Sequence, residues 1–556
     1  MTPDSQEASV SRLSFATTTV ILTILACAFT WPECLRLATG SIWHVDPVFS
    51  VWRISWIAHA LRVDPHHLFD ANIFYPARHT LAFSDATLLE GAVAAPFLWA
   101  GVRPMLTYNL LLFAGLIGSG LAMFVLIRYL VGSTGAALVG AVIFMMVPFR
   151  IEHIAHLELQ WAMWIPLAFW ALHRTVSETS WRFGALAGIL LWLQVLSCVY
   201  YGVFLAIAMA TLAALLLWKA GNARNSLLPL AAGAVLAALL IAPYASPYID
   251  VSRGLGPRDP AELVRYSADP RNYLASSPGN WIWGWTAERF GGGERMLFPG
   301  LVATLLAAVA IARRPGAVTW TYVVVGAVAV ELSFGPNSPL NAWLIGMAPA
   351  LGGLRAWARA AIIAYCALGV LAAIGVAYLE SSFGPARTRR LAIAALVCVL
   401  FAEYNSTPMS LSDVTDQPGL MQRILRDMEP GPVLDLPLPT AASALPGHDH
   451  LYEFWSIHHW HPLVNGYSGY YWRPYLSTIA RLRRFPDDGS IAHLQALGVR
   501  YIVVHRAFYR DREDYKAYVG RIVARPEITP KGEYGDSLND ATLLELAPRR
   551  AERPAR

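Results

Sequence analysis

Charged residues are scarce in this sequence: they make up 15% of its 556 positions, while 56% are hydrophobic and the mean hydropathy is +0.42. A soluble domain carries about a quarter charged residues, so the deficit excludes a water-solvated globule and leaves most of the chain to lipid. Cysteine is sparse too. The five thiols, Cys27, Cys34, Cys198, Cys366 and Cys398, lie in or at the ends of apolar runs without CxxC or Cys/His spacing, so neither a disulfide framework nor a structural zinc is indicated. No glycine-rich phosphate cradle, no internal repeat and no long low-complexity tract occurs. The net charge of only +5 comes largely from short Arg clusters between apolar runs, which reads as a topology signal rather than a nucleic-acid footprint.

What is present is apolar length. Arg, Asp, His and Pro crowd into roughly 44 to 85, 248 to 295 and 405 to 556, with apolar runs between. A bilayer core needs about 20 mainly apolar residues per helix. Runs that meet or approach this lie at 14 to 37, 105 to 130, 135 to 149, 160 to 174, 183 to 199, 201 to 218, 226 to 243, 297 to 312, 318 to 334, 357 to 379 and 390 to 404, which predicts eleven spans. Gly184 to Trp218 is too long for one crossing, and Ser197-Cys198-Val199-Tyr200-Tyr201-Gly202 supplies a turn within it. Residues 86 to 100 are apolar but short and read as an interfacial helix. No A-x-A cleavage site follows the first run and further spans do, so it reads as a permanent span rather than a secretory signal.

With this count, Arg128, Arg174 with Arg182, Lys219 with Arg224, Arg313 with Arg314, and Arg387 with Arg389 and Arg390 all fall on one side, which the positive-inside rule makes the cytoplasm. The expected fold is a mainly α polytopic membrane domain over 1-404, with outer loops 38-104, 150-159, 244-296 and 335-356, in a bacterial inner membrane. A small α/β extracytoplasmic domain follows over 405-556, with an amphipathic helix at Gly419 to Met428 and strands at Pro432 to Pro437, Val499 to His505 and Ala541 to Leu546.

Several residues are placed for chemistry. Asp46, in Gly40-Ser41-Ile42-Trp43-His44-Val45-Asp46-Pro47, directly follows the first span and precedes an amphipathic stretch through Trp52, Trp56 and His59. A carboxylate there can take a proton from an acceptor hydroxyl, or serve as the Asp-Pro cap of a surface helix, or both. Asp70 and Asp85 lie in the polar, aromatic stretch that follows; the adjacent His66 and His67 diverge on a helix and make a poor metal pair. In the second short outer loop, Glu152 and His156 are four apart, so a helix would put them on one face beside His153, for substrate binding or as a solvated cap. Arg355 and Arg359 run against the charge bias of the outer side; they suit a lipid phosphate or pyrophosphate, or anionic headgroups. Trp281, Trp283 and Trp285 suit the headgroup belt first and sugar faces second.

An Asp straight after the first span, an aromatic first loop, many further spans and an outer C-terminal domain resemble the GT-C glycosyltransferases. Asp46-Pro47 with Trp56-Ile57-Ala58-His59-Ala60-Leu61, Leu68-Phe69-Asp70-Ala71-Asn72-Ile73-Phe74-Tyr75-Pro76, Tyr108-Asn109-Leu110 and Asn465-Gly466-Tyr467-Ser468-Gly469-Tyr470 resemble a bacterial group of them more closely. The resemblance implies transfer of a hexosyl or pentosyl unit from a polyprenyl phosphate or pyrophosphate carrier to a glycan, lipid or protein acceptor on the outer face. Inversion is usual, and a metal is often not needed. It also implies that Asp46 is the acid that acts as base or orients the acceptor. Many relatives carry an Asp-Glu or Asp-Asp pair here, whereas Val45 and Pro47 flank a lone Asp46. That departure leaves open whether Asp70, Asp85 or Glu152 completes the site, or whether activity has been lost. On this reading Arg355 and Arg359 stabilise the departing lipid phosphate, and Glu152, His153 and His156 line the sugar subsite. No cofactor or divalent metal is indicated, and no nucleic-acid partner. Two rival readings remain, a transporter or flippase of lipid-linked sugars and a non-catalytic factor in envelope glycan assembly. The near absence of acids within the spans, Glu331 apart, and the lack of an inverted repeat weigh against transport.

Overall fold

The computed structural model of the chain describes residues 3–219, 223–256, 258–382, 385–439, 445, 447–535 and 540–549. The chain divides into two compact units: one of Met1–Trp43, Asn109–Ser246 and Gly256–Ser412, the other of His44–Tyr108, Pro247–Leu255 and Asp413–Arg556. The first long loop therefore folds with the C-terminal residues.

Among the described residues, five helices are apolar and long enough to cross a membrane: Pro104–Val131, Thr134–Glu152, Val199–Lys219, Arg224–Leu255 and Trp357–Ser382. Shorter apolar helices are Phe15–Phe29, Leu88–Trp99, Trp181–Ser197, Leu301–Arg313 and Ala317–Ser333. These helices mark a membrane protein. The predicted spans at 160 to 174 and 390 to 404 are also helical, over Trp164–Glu178 and Ala386–Tyr404.

In the first unit the turn expected within Gly184 to Trp218 falls at Cys198, whose extended backbone (φ −143°, ψ 114°) ends one helix and lets the next begin at Val199. Trp181–Ser197 packs on Ala223–Leu255 through Gly184, Gly188 and Gly233. A Cβ at Gly188 would collide with the Gly233 carbonyl oxygen, so only glycine permits this backbone approach. The helix expected to carry Glu152 and His156 on one face does not continue. Val147 is extended ahead of Pro148, as the residue before proline prefers, and the short helix Pro148–Glu152 stops at His153. His156 instead precedes a new turn, Leu157–Gln160. The break leaves backbone carbonyls that must be satisfied internally. Arg150 Nη2 donates to the Gln160 carbonyl (2.7 Å) and Gln160 Nε2 to the His153 carbonyl (2.8 Å).

The second unit has helix Asp46–Val63 at its centre. The expected amphipathic surface helix is not what forms: Pro47 to Ala58 are all buried, Trp52 and Arg53 included, because Leu88–Trp99 and Asp449–Ser456 pack along it. Burial of the tryptophans requires partners for their N–H groups. Trp52 Nε1 donates to Asn72 Oδ1 (3.1 Å), Trp56 Nε1 to the Leu68 carbonyl (2.8 Å) and Trp99 Nε1 to the Ala58 carbonyl (2.9 Å).

The three expected strands join a fourth, Ile528–Tyr534, in a sheet of order Val433–Leu436, Tyr501–His505, Ala541–Leu546, Ile528–Tyr534. The first pair is parallel (Val433 opposite Tyr501) and the others are antiparallel. Alternate residues feed two cores: Leu434, Leu436, Ile502, Val504, Leu544 and Leu546 on one face, Val433, Tyr501, Val503 and Leu543 on the other. Helix Leu420–Asp427 fills the latter face with Met421 and Leu425. Sequence rules set the ends of helix Asp488–Leu497: Asp487 caps the Ser490 amide (2.9 Å) and Gly498 takes the left-handed position (φ 78°).

Candidate functional site

In the second unit, Asp46 is the first residue of its helix. The cap position is Val45, with no side-chain cap hydrogen bond. The Asp46 carboxylate is engaged elsewhere. Tyr467 Oη donates to Oδ1 (2.9 Å), and His44 Nδ1 lies 3.1 Å from Oδ2 and 3.2 Å from the Asp46 amide. Unprotonated, His44 Nδ1 accepts from that amide; protonated, it donates to the carboxylate. The Asp46 side chain is 13% exposed, enough for a small group to reach the oxygens while most of its surroundings are protein.

Tyr467 is itself held. Its amide donates to Glu453, and its ring meets Phe49 edge-on at 5.0 Å. Burial pushes the Glu453 carboxyl well above the usual carboxylate range and lowers the neighbouring His450 to about 4. Two residues earlier, Asn465 ties the sequence motifs together. Its carbonyl accepts the Phe74 amide (2.9 Å), its Oδ1 accepts the Asp435 amide (2.8 Å), and its Nδ2 donates to Asp449 Oδ1 (3.0 Å). The Leu463 amide donates to the Asn72 carbonyl and the Tyr75 amide to the Leu463 carbonyl, so residues 72 to 75 run beside 463 to 465. The Phe74 ring lies where a Cβ on Gly466 would stand (2.5 Å), which explains the glycine. Asp70 and Asp85 serve this scaffold. Asp70 Oδ1 accepts the His79 amide (2.8 Å), supporting a residue in the left-handed region (φ 54°), and the Asp85 carbonyl accepts Arg53 Nη1 (2.7 Å). His67 pairs with Asp64 (2.8 Å), and among the described residues no group of three or more His, Cys, Asp or Glu side chains is arranged for a metal.

In the first unit, Arg359 and His153 meet on Glu294. Arg359 donates Nε to Oε2 (3.0 Å) and Nη2 to Oε1 (2.6 Å), the bidentate geometry that makes such pairs strong. His153 Nε2 lies 2.8 Å from Oε2 and its Nδ1 2.8 Å from the Phe149 carbonyl, so both ring nitrogens face acceptors. Burial alone would push the Glu294 carboxyl up. The charges of Arg359 and His153, with the hydrogen bonds they make, outweigh it and hold the group well below the usual carboxylate range.

Arg355 is in a different state. Its side chain is 27% exposed, its Nη1 stands 3.6 Å from Glu262, its guanidinium lies 4.9 Å over the Tyr266 ring, and its Nε is buried without a hydrogen-bond partner among the described residues. Its amide donates to Tyr200 Oη (3.2 Å), and the Tyr200 ring faces Arg359 at 5.1 Å. His156 sits beside His153 with ring centroids 5.8 Å apart, and Glu152 is the half-buried last residue of its short helix. Trp281 and Trp283 are tied by their indole N–H groups to the Thr407 carbonyl (2.7 Å) and Glu403 (3.3 Å); Trp281 and Trp285 remain exposed.

No family model matches the sequence, and no curated protein does. Among solved structures, the cryo-EM structure of arabinofuranosyltransferase AftD from Mycobacteria matches 97% of this chain with a TM-score of 0.65 at 15% identity. A mutant AftD structure matches 97% with a TM-score of 0.58 at 16% identity. AftD is a GT-C enzyme. The chain has the GT-C fold.

At these identities the likeness speaks for the fold alone, and the chain spans 40% and 42% of the two AftD chains. A crystal structure of the Archaeoglobus fulgidus oligosaccharyltransferase, tethered with an acceptor peptide, reaches a TM-score of 0.42 at 13% identity over 88% of this chain and 68% of its own, too low to bear on the fold. On the GT-C scaffold, the structure sets Tyr467 against Asp46 and Glu294 against Arg359 and His153. Tyr467 lies within the motif Asn465 to Tyr470, but nothing in its spacing points it at Asp46. Glu294 lies in an Arg- and Gly-rich loop that also carries Glu288, and nothing in the sequence singles it out.

Proposed function

We propose that this chain is a membrane glycosyltransferase that moves a sugar from a polyprenyl phosphate or pyrophosphate carrier to an acceptor on the outer face of a bacterial inner membrane. Asp46 is the base. As it removes the acceptor hydroxyl proton, the acceptor oxygen bonds to the anomeric carbon and the carbon–oxygen bond to the carrier phosphate breaks, its electron pair leaving with the phosphate; attack from the opposite side inverts the anomeric centre. Tyr467 and His44 are positioning residues that hold the carboxylate in one orientation. Arg355, loosely paired and with an unused Nε, is the candidate for the carrier phosphate. Arg359 is committed to Glu294 and acts by fixing the loop that carries it. His153, His156 and Glu152 are assigned to the donor sugar, and Asp70 and Asp85 to shaping the residues that follow Asp46. The membrane domain is assigned to 1-404 and the extracytoplasmic domain to 405-556, with a cytoplasmic N-terminus.

The observation that carries this reading is the Asp46 carboxylate, held by Tyr467 and His44 at the start of a buried helix in a chain with the GT-C fold. The test is transfer in vitro from a panel of polyprenyl-phosphate sugars, comparing wild type with Asp46→Asn, which keeps an oxygen to accept from Tyr467. Loss of general base catalysis lowers turnover about 100-fold or more. Turnover equal to wild type in a folded Asp46→Asn protein rejects the assignment.

A further inference from the structure

One cavity of the first unit plays no part in that chemistry. It has a volume of about 1670 Å³, larger than the roughly 300–1,000 Å³ of sites for small molecules. Its walls are apolar, with Ile21, Leu138, Ile374 and Val397 from four different helices, and four arginines stand at it: Arg313, Arg314, Arg389 and Arg390. The cavity is therefore amphiphilic, with room for hydrocarbon and a concentrated positive charge.

That charge is not neutralised by the protein. Among the described residues none of the four guanidinium groups forms an ion pair; Arg314 lies 5.6 Å over the Tyr378 ring, and the acid in the lining, Glu380, is engaged by Ser133 Oγ at 2.5 Å. By contrast, the nearby cation Lys219 is spent on the Ala317 carbonyl (2.8 Å) and Thr321 (3.0 Å). Arg389 and Arg390 also stand near the start of helix Ala386–Tyr404, whose first turn contains no acid. A helix N-terminus carries positive partial charge, so cations there are unfavourable and an anion is favoured. Unpaired arginines, a positive helix end and an apolar cavity call for one ligand chemistry.

We infer that this cavity binds a phospholipid with an anionic phosphate headgroup, its phosphate on the four arginines and its chains along the apolar walls. The site lies on the side that the Lys/Arg bias assigns to the cytoplasm, and the inference is independent of the glycosyltransferase reading. The ligand is a lipid rather than free phosphate, because the cavity offers mostly apolar wall that an inorganic ion leaves unfilled.

The test uses the full chain in nanodiscs and by native mass spectrometry, with phosphatidylglycerol, phosphatidylcholine and inorganic phosphate as separate probes. Wild type retains phosphatidylglycerol saturably over phosphatidylcholine, and inorganic phosphate neither binds detectably nor raises the melting temperature. The double variant Arg389→Gln/Arg390→Gln weakens phosphatidylglycerol retention roughly 30-fold, from two basic residues near a lipid headgroup. The control Arg182→Gln/Arg224→Gln, which removes two cations outside the cavity, retains it as wild type does. Equal retention of phosphatidylcholine, equal loss in the control, or stabilisation by phosphate alone would each overturn the inference.

Discussion

Asp449 offers a measurement of how the scaffold around Tyr467 is held. Its carboxylate is fully buried, accepting from Tyr475 Oη (2.5 Å) and Asn465 Nδ2 (3.0 Å), and burial raises it from 3.8 to about 7. The folded state therefore binds this proton more tightly than the unfolded state. Its effect is absent below about pH 4, where both states hold the proton. Stability then falls as pH rises from 3.8 towards about 7 and is level above that. At 1.36 kcal/mol per pH unit, that interval amounts to about 4 kcal/mol as an upper bound. Asp449→Asn removes the titration while keeping the geometry, since its carbonyl accepts from Asn465 and its amide donates to Tyr475. Pulse proteolysis in urea at pH 4.5, 6, 7 and 8 on the detergent-solubilised chain, following fragments from the C-terminal sheet, gives the stability of this unit. Near pH 4 the two proteins are expected to match within about 1 kcal/mol, and at pH 8 the variant is expected to be the more stable by up to about 4 kcal/mol. Glu453 is raised by burial and further by the neighbouring Asp449, so Glu453→Gln is placed in both proteins to remove its titration from the difference. Parallel pH curves for wild type and Asp449→Asn refute the reasoning.

Three further outcomes are expected. Tyr467→Phe removes one hydrogen bond to a charged acceptor, worth about 1.5–3 kcal/mol; sugar transfer drops about 10-fold or more, and equal activity would remove Tyr467 from the mechanism. Glu294→Ala strands Arg359 and His153 in a largely buried setting and lowers stability by about 3–5 kcal/mol, read by thermal unfolding in detergent; a shift of under about 1 kcal/mol would show that the pair is solvated. Gly188→Val forces apart Trp181–Ser197 and Ala223–Leu255, costing about 1–3 kcal/mol as overpacking, whereas Val at the exposed Gly254, with open space around it, is expected to cost less and serves as the comparison.

Much of the architecture was legible before any coordinates. Apolar runs mark the helices, Ser197 to Gly202 marks the break between two of them, and short, mostly apolar runs mark three strands of the four-stranded sheet. The fourth, Ile528–Tyr534, was not read, because its burial is confined mainly to Ile528 and its other residues face outward with no apolar period. Trp52, Trp56 and His59 give the helix at Asp46 the sequence pattern of an amphipathic surface element. Its burial depends on Leu88–Trp99 and Asp449–Ser456, and periodicity within one segment carries no information about what covers its second face. The Glu152 and His156 pairing fails for a local reason: the short helix ends at His153, and His156 is extended ahead of the next turn.

What the sequence determined by itself is what short-range physics can carry: which segments prefer lipid, where helices begin and stop, and that Asp46 stands at the head of one. Only the tertiary structure decided which distant groups meet, Tyr467 with Asp46, Asn465 with Phe74 and Asp449, Glu294 with Arg359 and His153. Those partnerships are selected by the need of buried donors, acceptors and charges to satisfy one another away from water, a condition on three-dimensional neighbours that leaves no periodic trace along the chain.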